Sequence, residues 1–520
     1  MNAPGTRLEA ARSISRVGIV PTAVVLLWSY ALWAISPRFA LTRPALVDDW
    51  YGITYSHQAL TSLLHLDYDS VGVDTPGRYR PGYTAVWDFL QWHTFDAPLH
   101  MVGPNAWNLV RIGLFIAAIV CVASAVQDRS VGRVRAGVVA AAAGLLVIST
   151  PATAVDLARF GTGEPLMLGG LLGGGLLVLA AVRRTLARHA GEVTNNRAAT
   201  AAMFVAGYAL YLLGAYMKEA SICLLVLLPF VYFHLEQKWR EESLTRSPLW
   251  RIRSARIAAV LLVAPLLHVG AHVVAGSARY QRHSGTWSES LLSIVPSPWI
   301  LGTPVWSILL VVLPVALAVV VATRRSVPWL ALGLVVAGSV FVGFQTATGD
   351  RPSRYYLPGI VFSAVALAHL ISQNGRRVQI VFVAVALLVA ASSQGRATVS
   401  RWAIVGRAEN AAVEQAARLD PARCRVYFRN FDVERRIALA KLVPLVRDDY
   451  TTRCPAGAGV SINWRAGAGT PKAGCASPGW IKLRAADGLA TFGCRRLMQD
   501  RTASGQTTSE RLRAQRQKDW

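Results

Sequence analysis

Two adjacent carboxylates, Asp48 and Asp49, follow the first apolar block of the sequence. A carboxylate beside a hydroxyl group can remove its proton and can stabilise positive charge that develops on a sugar carbon. Helix capping is the alternative for one of the two, because an aspartate at the start of a helix accepts backbone N–H bonds and favours the helix dipole. We predict that Asp48 or Asp49 is the base of a transfer reaction.

Several cations lie beside the ends of apolar blocks at which the rule for membrane topology would deplete them. The charged residues at these ends are Arg78, Arg80, Arg159, Glu164, Lys218, Glu219, Arg279, Arg282, Asp350, Arg351 and Arg354. Each one alone is explained by a solvated or snorkelling side chain. Together they predict an anion site that faces away from the cytoplasm.

An anion site next to a carboxylate base fits glycosyl transfer from a lipid phosphate. An acceptor hydroxyl attacks the anomeric carbon while the lipid phosphate leaves, through a transition state that resembles an oxocarbenium ion. A phosphate is a weak base, so its departure needs Arg and Lys donors more than a general acid. One critical carboxylate and several cations therefore replace the two carboxyl groups of a glycoside hydrolase.

The elements that carry these residues are predicted to be transmembrane helices. The chain has 520 residues, of which 53% are hydrophobic and 16% charged, whereas soluble domains carry about 25% charged residues. Its net charge of +25 is therefore read as membrane topology and not as nucleic-acid binding. Apolar stretches of spanning length predict about eleven helices, near residues 17–36, 107–126, 136–150, 166–182, 198–216, 219–235, 257–275, 304–323, 329–346, 359–373 and 379–394.

The distribution of Arg and Lys orients these helices, because short loops rich in them stay in the cytoplasm. Most basic residues of short loops fall at the N-terminus and after every second span. We expect a multi-pass protein of the cytoplasmic (inner) membrane with its N-terminus inside. The transmembrane catalytic domain covers residues 1–394, its first outer loop covers 37–106, and an odd number of crossings places residues 395–520 outside.

Residues 395–520 are predicted to form a small extracytoplasmic α/β domain with a disordered end. Four of the six cysteines lie there: Cys424, Cys454, Cys475 and Cys494. In an oxidising compartment they predict two disulfides, with three possible pairings. A zinc site is disfavoured because the segment has no C-x-x-C spacing and no histidine. The glycine run 169–175 lies within a span and predicts close helix packing instead of a phosphate loop.

Four segments, in this order, resemble motifs of the GT-C class of polytopic glycosyltransferases that use lipid-phosphate sugars. Asp48-Asp49-Trp50 is similar to the acidic motif of their first outer loop. Tyr79-Arg80-Pro81, followed by Phe95, Pro98, His100 and Asn108, resembles a Y-R-P…F…P…H…N run of the protein O-mannosyltransferase and TMTC-like branches. Lys218-Glu219-Ala220 resembles their Lys-Glu hairpin, and Arg354-Tyr355-Tyr356-Leu357-Pro358 resembles their R-Y-x-x-P element.

The resemblance implies an all-α, GT-C-like membrane fold and sugar transfer from a polyprenyl-phosphate donor to an extracytoplasmic glycan, lipid or protein. It favours Asp48 as the base and implies that Arg354 and Lys218 contact the donor phosphate, where the anion site adds Arg80 and Arg159. The residues expected to bind substrate or acceptor are His57, Arg78, Tyr79, Glu164, Glu219 and Tyr355. The mannosyltransferases carry Asp-Glu where this chain has Asp-Asp, so neither mannose nor a protein acceptor carries over.

Cofactors and two other functions stay open at this point. No metal site is predicted, because the histidines of the first outer loop lack the spacing of a known metal motif, but a divalent cation is possible. A transporter or flippase of a lipid-linked anion would use the same cations, although it would place polar groups near the bilayer midplane. A polysaccharide ligase or polymerase would differ in its donor and depend less on Asp48 or Asp49.

Overall fold

The computed structural model describes most of the predicted membrane domain and short pieces of the C-terminal segment. The described residues are 18–41, 102–127, 132–159, 163–189, 197–218, 221, 224–241, 261–263, 266–267, 328–347, 356–419, 425–429, 439, 442–444, 446–447, 459–464, 481–484 and 489–492.

The described part of the chain is nearly all helical. The helices are α1 (Ile19–Ile35), α2 (Val102–Ala125), α3 (Arg133–Ser149), α4 (Pro151–Ala158), α5 (Glu164–His189), α6 (Arg197–Ala215), α7 (Leu224–Glu241), α8 (Trp329–Ala347), α9 (Leu357–Ser372), α10 (Arg376–Ala391) and α11 (Gln394–Ala417), and a 3-10 helix, Ser36–Ala40, follows α1. Every predicted span within the described residues coincides with a helix. The span predicted at 304–323 and most of that at 257–275 lie outside them.

Five of the described helices are long and apolar enough to cross a membrane, and a sixth is obtained if a bent pair counts as one span. The five are Ile19–Ala40, which joins α1 and the 3-10 helix, Val102–Ala125, Glu164–Leu186, Arg197–Ala215 and Arg376–Ala417, which joins α10 and α11. Helices of this kind satisfy their backbone hydrogen bonds internally, as the hydrocarbon interior requires. The chain is therefore an integral membrane protein.

The bent pair is formed by α3 and α4, which meet at an angle of 75°. Its cause is Pro151, because a proline lacks the N–H that α3 would need and pushes the residue before it out of the helical region. Thr150 accordingly adopts φ −73° and ψ 144°. Its hydroxyl accepts a hydrogen bond from the backbone N–H of Thr153 at 3.2 Å, which caps the new helix. The third span is short because a separate helix of eight residues follows it.

Helices α5 and α6 pack closely through glycines on both sides. A Cβ atom on Gly174 would clash with the backbone nitrogen of Tyr211, and one on Gly214 would lie 2.6 Å from the nitrogen of Leu171. A Cβ atom on Gly170 or on Gly207 would likewise clash with backbone or Cβ atoms of the opposite helix. Small residues let helix backbones approach closely in a membrane, so the prediction of close packing by the glycine run is confirmed.

The helix α11 begins at the predicted domain boundary and packs against α4, the 3-10 helix and α1. A Cβ on Gly395 would lie 3.0 Å from Ala154 Cβ and 3.2 Å from the carbonyl oxygen of Ser149, so this glycine fits tightly against the bend. Residues beyond α11 include a four-stranded sheet in the order β1-β2-β4-β3, with β1 (Arg425–Arg429), β2 (Gly459–Trp464), β3 (Ile481–Arg484) and β4 (Leu489–Phe492). The β1–β2 and β2–β4 pairs are parallel, and β3–β4 is antiparallel.

The four cysteines of this segment, Cys424, Cys454, Cys475 and Cys494, lie outside the described residues. Their two disulfides stay a prediction, as do the domain boundaries.

Candidate functional site

Six ionisable side chains are buried at one end of the helical bundle, and we call them the charged cluster. They are Arg38, Arg111, Asp156, Arg159, Glu164 and Lys218. They come from the 3-10 helix, the first turns of α2, the end of α4, the start of α5 and the turn after α6. Each is at most 7% exposed. The structure describes three of the predicted catalytic and binding residues, which are Arg159, Glu164 and Lys218. All three lie at this end.

Lys218 and Glu164 form a buried ion pair, in which Lys218 Nζ donates to Glu164 Oε1. The tight glycine contact of α5 with α6 brings the two together, because it sets the start of α5 beside the end of α6. The turn is closed by the N–H of Met217, which donates to Gly214 O at 3.2 Å. A carboxylate at a helix start and an ammonium group after a helix end also favour the two helix dipoles. Lys218 therefore has an internal anion beside it, and its role toward a donor phosphate stays a prediction.

Arg159 lies directly after the short helix α4 and is 1% exposed. Its N–H donates to Val155 O at 3.0 Å, so the residue completes the last turn of the helix. Its own carbonyl oxygen accepts a hydrogen bond from Arg111 Nη2 at 2.8 Å. The backbone of Arg159 is consequently fixed from two sides, and its assignment to the donor phosphate stays a prediction.

The end of α4 is surrounded by donors from α2 and the 3-10 helix. Asn108 Nδ2 donates to Leu157 O at 2.9 Å, and Arg38 Nη1 donates to Ala158 O. Arg38 Nε also donates to Asn105 Oδ1 at 3.3 Å. Asn105, Asn108 and Arg111 are spaced by three residues along α2 and so share one face of that helix.

Arg38, Arg111 and Asp156 are not among the site residues predicted from the sequence. Arg111 lies inside the span predicted at 107–126, and an ionisable residue within a span is in itself a sign of function. That signal would have found it. Asn108 was included through the family resemblance, and the structure places its amide against α4.

The charged cluster carries more positive than negative charge. It has four cations, Arg38, Arg111, Arg159 and Lys218, and two carboxylates, Asp156 and Glu164, so the difference is two positive charges. All six side chains interact with other groups of the protein. Burial of charge is costly unless opposite charge is near. The imbalance therefore favours an anion, or further carboxylates, at this end.

Helix α9 ends beside the end of α2. His369 Nδ1, near the end of α9, lies 2.6 Å from the carbonyl oxygen of Val126, which follows α2. Tyr356, directly before α9, is buried. In the sequence Tyr356 follows the predicted site residues Arg354 and Tyr355.

The remaining predicted site residues lie outside the described residues. They are Asp48, Asp49, His57, Arg78, Tyr79, Arg80, Glu219, Arg354 and Tyr355. Their roles stay predictions. Within the described ranges, no group of three or more His, Cys, Asp or Glu side chains could hold a metal ion.

No protein-family model matches the chain, and no curated protein matches its sequence. Among solved structures, the chain is similar to ArnT from Cupriavidus metallidurans in the apo state, with 14% identity and a TM-score of 0.46 over 87% of this chain and 86% of that chain. It is also similar to ArnT from the same organism bound to undecaprenyl phosphate, with 13% identity and a TM-score of 0.45 over 86% and 85% of the two chains. Both are similarities of fold.

Proposed function

We propose that the chain is a membrane glycosyltransferase of the GT-C type, which transfers a sugar from a polyprenyl-phosphate donor to an extracytoplasmic acceptor. The observation that supports this proposal is the charged cluster, in which four cations and two carboxylates among the described residues are buried at one end of a helical membrane protein. A protein that only spans the membrane has no need of buried ions, which are costly and mark functional sites in membrane proteins.

The distribution of exposed arginines between the two ends of the bundle supports a location for the donor. Arg183, Arg184, Arg376 and Arg377 are exposed at the end opposite the charged cluster. Exposed arginines beside membrane helices favour the cytoplasmic side. The charged cluster then faces the extracytoplasmic side, where a lipid-linked donor presents its phosphate at the level of the head groups.

In the proposed reaction, Asp48 or Asp49 removes the proton of the acceptor hydroxyl as its oxygen bonds to the anomeric carbon. The bond from that carbon to the phosphate oxygen breaks, and the lipid phosphate leaves with the electron pair. Arg159 donates hydrogen bonds to the phosphate, where guanidinium groups bind strongly and can engage two oxygens at once. Arg354, Arg80 and Lys218 are proposed as further phosphate ligands, with Glu164 setting the orientation of the Lys218 ammonium group.

The test is to offer purified full-length protein in lipid a panel of polyprenyl-phosphate sugars with cell-envelope acceptors. We expect release of the polyprenyl phosphate from one donor by the wild type. Asp48→Asn or Asp49→Asn should lower the rate by about 10²-fold or more, the typical contribution of a positioned base. Asp69→Asn, which removes another carboxylate of the same loop, is the matched control and should keep the wild-type rate.

Three results would contradict the proposal. Full transfer by both Asp48→Asn and Asp49→Asn would remove the base assignment. If the wild type consumes no donor but moves a lipid-linked anion across liposomes, the protein is a transporter or flippase. A glycan polymer formed from a diphosphate-linked donor would instead identify a polysaccharide ligase or polymerase.

A further inference from the structure

The carbonyl oxygens at the end of α4 are held by side chains of other elements. Those of residues 156 to 159 accept hydrogen bonds from Arg38, Asn108 and Arg111. We propose that Arg111 is a positioning residue that fixes the end of α4 and, through it, Arg159, so that it affects the donor only by way of Arg159. This inference rests on the proposed function for the identity of the donor.

The need for such a residue follows from the place at which α4 ends. The last four carbonyl groups of an α-helix have no partner within the helix. In a membrane protein, an unsatisfied carbonyl group away from water is strongly destabilising. Helix α4 has only eight residues, and Asp156, Leu157 and Ala158 at its end are all buried. Side chains from elsewhere must therefore supply the donors.

The geometry of Arg111 fits this task. Its Nη2 lies 2.8 Å from the carbonyl oxygen of Arg159, 3.0 Å from that of Leu157 and 3.2 Å from that of Asp156. One nitrogen thus serves three carbonyl groups of a single turn. Its positive charge also lies at the negative end of the helix dipole. The guanidinium group of Arg111, which binds the backbone of Arg159, therefore faces the end of α4.

Arg111 therefore differs in kind from a phosphate ligand. A lysine at this position would keep the charge and enough donors, but its side chain is shorter and flexible and would not hold a nitrogen where the planar guanidinium group fixes Nη2. If only charge mattered, Arg111→Lys would be mild. If the fixed position of Nη2 holds the turn, Arg111→Lys releases the end of α4 and misplaces Arg159.

A double-mutant cycle separates the indirect from the direct role. The four proteins are wild type, Arg111→Lys, Arg159→Ala and the double variant, each assayed for kcat and for KM of the polyprenyl-phosphate sugar. We expect Arg111→Lys to raise the donor KM about tenfold when Arg159 is present. In the Arg159→Ala background the same change should alter it by no more than about twofold, since its target is already gone. The acceptor KM should stay constant.

Hydrogen exchange gives a readout that does not depend on activity. Arg111→Lys should speed amide exchange at the end of α4, because the last turn opens more often when its carbonyl groups lose their donors. Arg184→Lys, at an exposed arginine of the opposite end, is the matched control and should leave this exchange unchanged. Asn108→Ala, which removes one donor to Leu157 O, should speed it to a smaller degree and serves if Arg111→Lys does not fold.

The outcomes are distinguishable. If the wild type consumes no donor, the proposed function fails, while the exchange measurement still decides whether Arg111 fixes α4. Equal effects of Arg111→Lys on donor KM in both backgrounds would show that it acts independently of Arg159 and would overturn the inference. Unchanged exchange at the end of α4 in the folded variants would overturn it as well.

Discussion

The two ends of the helical bundle differ in which polar side chains are buried and which are exposed. At the charged cluster, four cations and two carboxylates are buried. At the opposite end the buried polar side chains among the described residues are Gln127, His369, Ser372 and Gln379, which we call the amide cluster, and arginines such as Arg184 and Arg377 are exposed. Both ends must close turns between helices. The difference shows that closing a turn does not require buried ions.

The amide cluster shows how a turn is closed with uncharged groups. Gln127 Nε2 donates to Ala123 O at 2.9 Å and to Ala136 O at 2.8 Å, which joins the end of α2 to the start of α3. Gln379 Nε2 donates to Asn374 O at 3.0 Å and to Ser372 O at 3.3 Å, which joins α9 to α10. Neutral donors of this kind carry a smaller desolvation cost than ions. The ions of the charged cluster therefore point to a further role.

The largest contrast is expected from the Lys218–Glu164 pair. Lys218→Met or Glu164→Gln alone should lower the free energy of unfolding by about 3 to 5 kcal/mol, because each removes one partner of a buried ion pair. The double variant Lys218→Met/Glu164→Gln should be more stable than either single variant. Denaturant unfolding in lipid micelles measures all three. Additive effects of the two single changes would mean that the ion pair contributes nothing.

A smaller effect is expected from the glycine contact that sets this pair. Gly174→Ala should cost about 1 to 3 kcal/mol, because its Cβ would clash with the backbone of α6 and overpacking is destabilising. Gly175→Ala is the matched control, since the nearest atom to its Cβ, Tyr211 Cδ2, is 4.0 Å away. Unfolding and donor consumption should both be measured. Equal stability of the two variants would contradict the packing that places Glu164 beside Lys218.

The smallest effect is expected at the amide cluster. Gln127→Leu should lower the free energy of unfolding by about 1 to 2 kcal/mol, the net value of its two hydrogen bonds, and should leave the transfer rate unchanged. Arg184→Gln, an exposed control at the same end, should stay within about 0.5 kcal/mol of the wild type. A loss of transfer in Gln127→Leu with little loss of stability would remove the distinction between the two ends.

The positions of the helices could be predicted from the sequence because a membrane allows few alternatives. An apolar stretch of spanning length must satisfy its own backbone, and it does so as a helix. The shortness of the third predicted span was visible as well, but Pro151 starts a separate helix, α4, that belongs to the charged cluster. The direction of α4 depends on contacts with α2 and α11, which are distant in sequence.

The charged cluster was only partly predictable. Arg159, Glu164 and Lys218 stood out because they lie beside the ends of apolar stretches. Arg111 could also have been found, as an ionisable residue within a predicted span. Its hydrogen-bond partners and the part played by Arg38 could not, because they depend on carbonyl groups of α4 whose positions follow only from the bend at Pro151.

The helix α11 braces the charged cluster from outside. The ring of Trp402 lies 5.8 Å from Arg38 Cζ, and Arg396 Nη1 donates to Ser36 Oγ at 2.7 Å. Gly395 packs closely against the bend between α3 and α4. A fragment that ends before residue 394 would therefore lack α11, which covers the place where Arg38 contacts α4. Helix α11 therefore supports the membrane bundle, and we expect the two to need expression and purification as one chain.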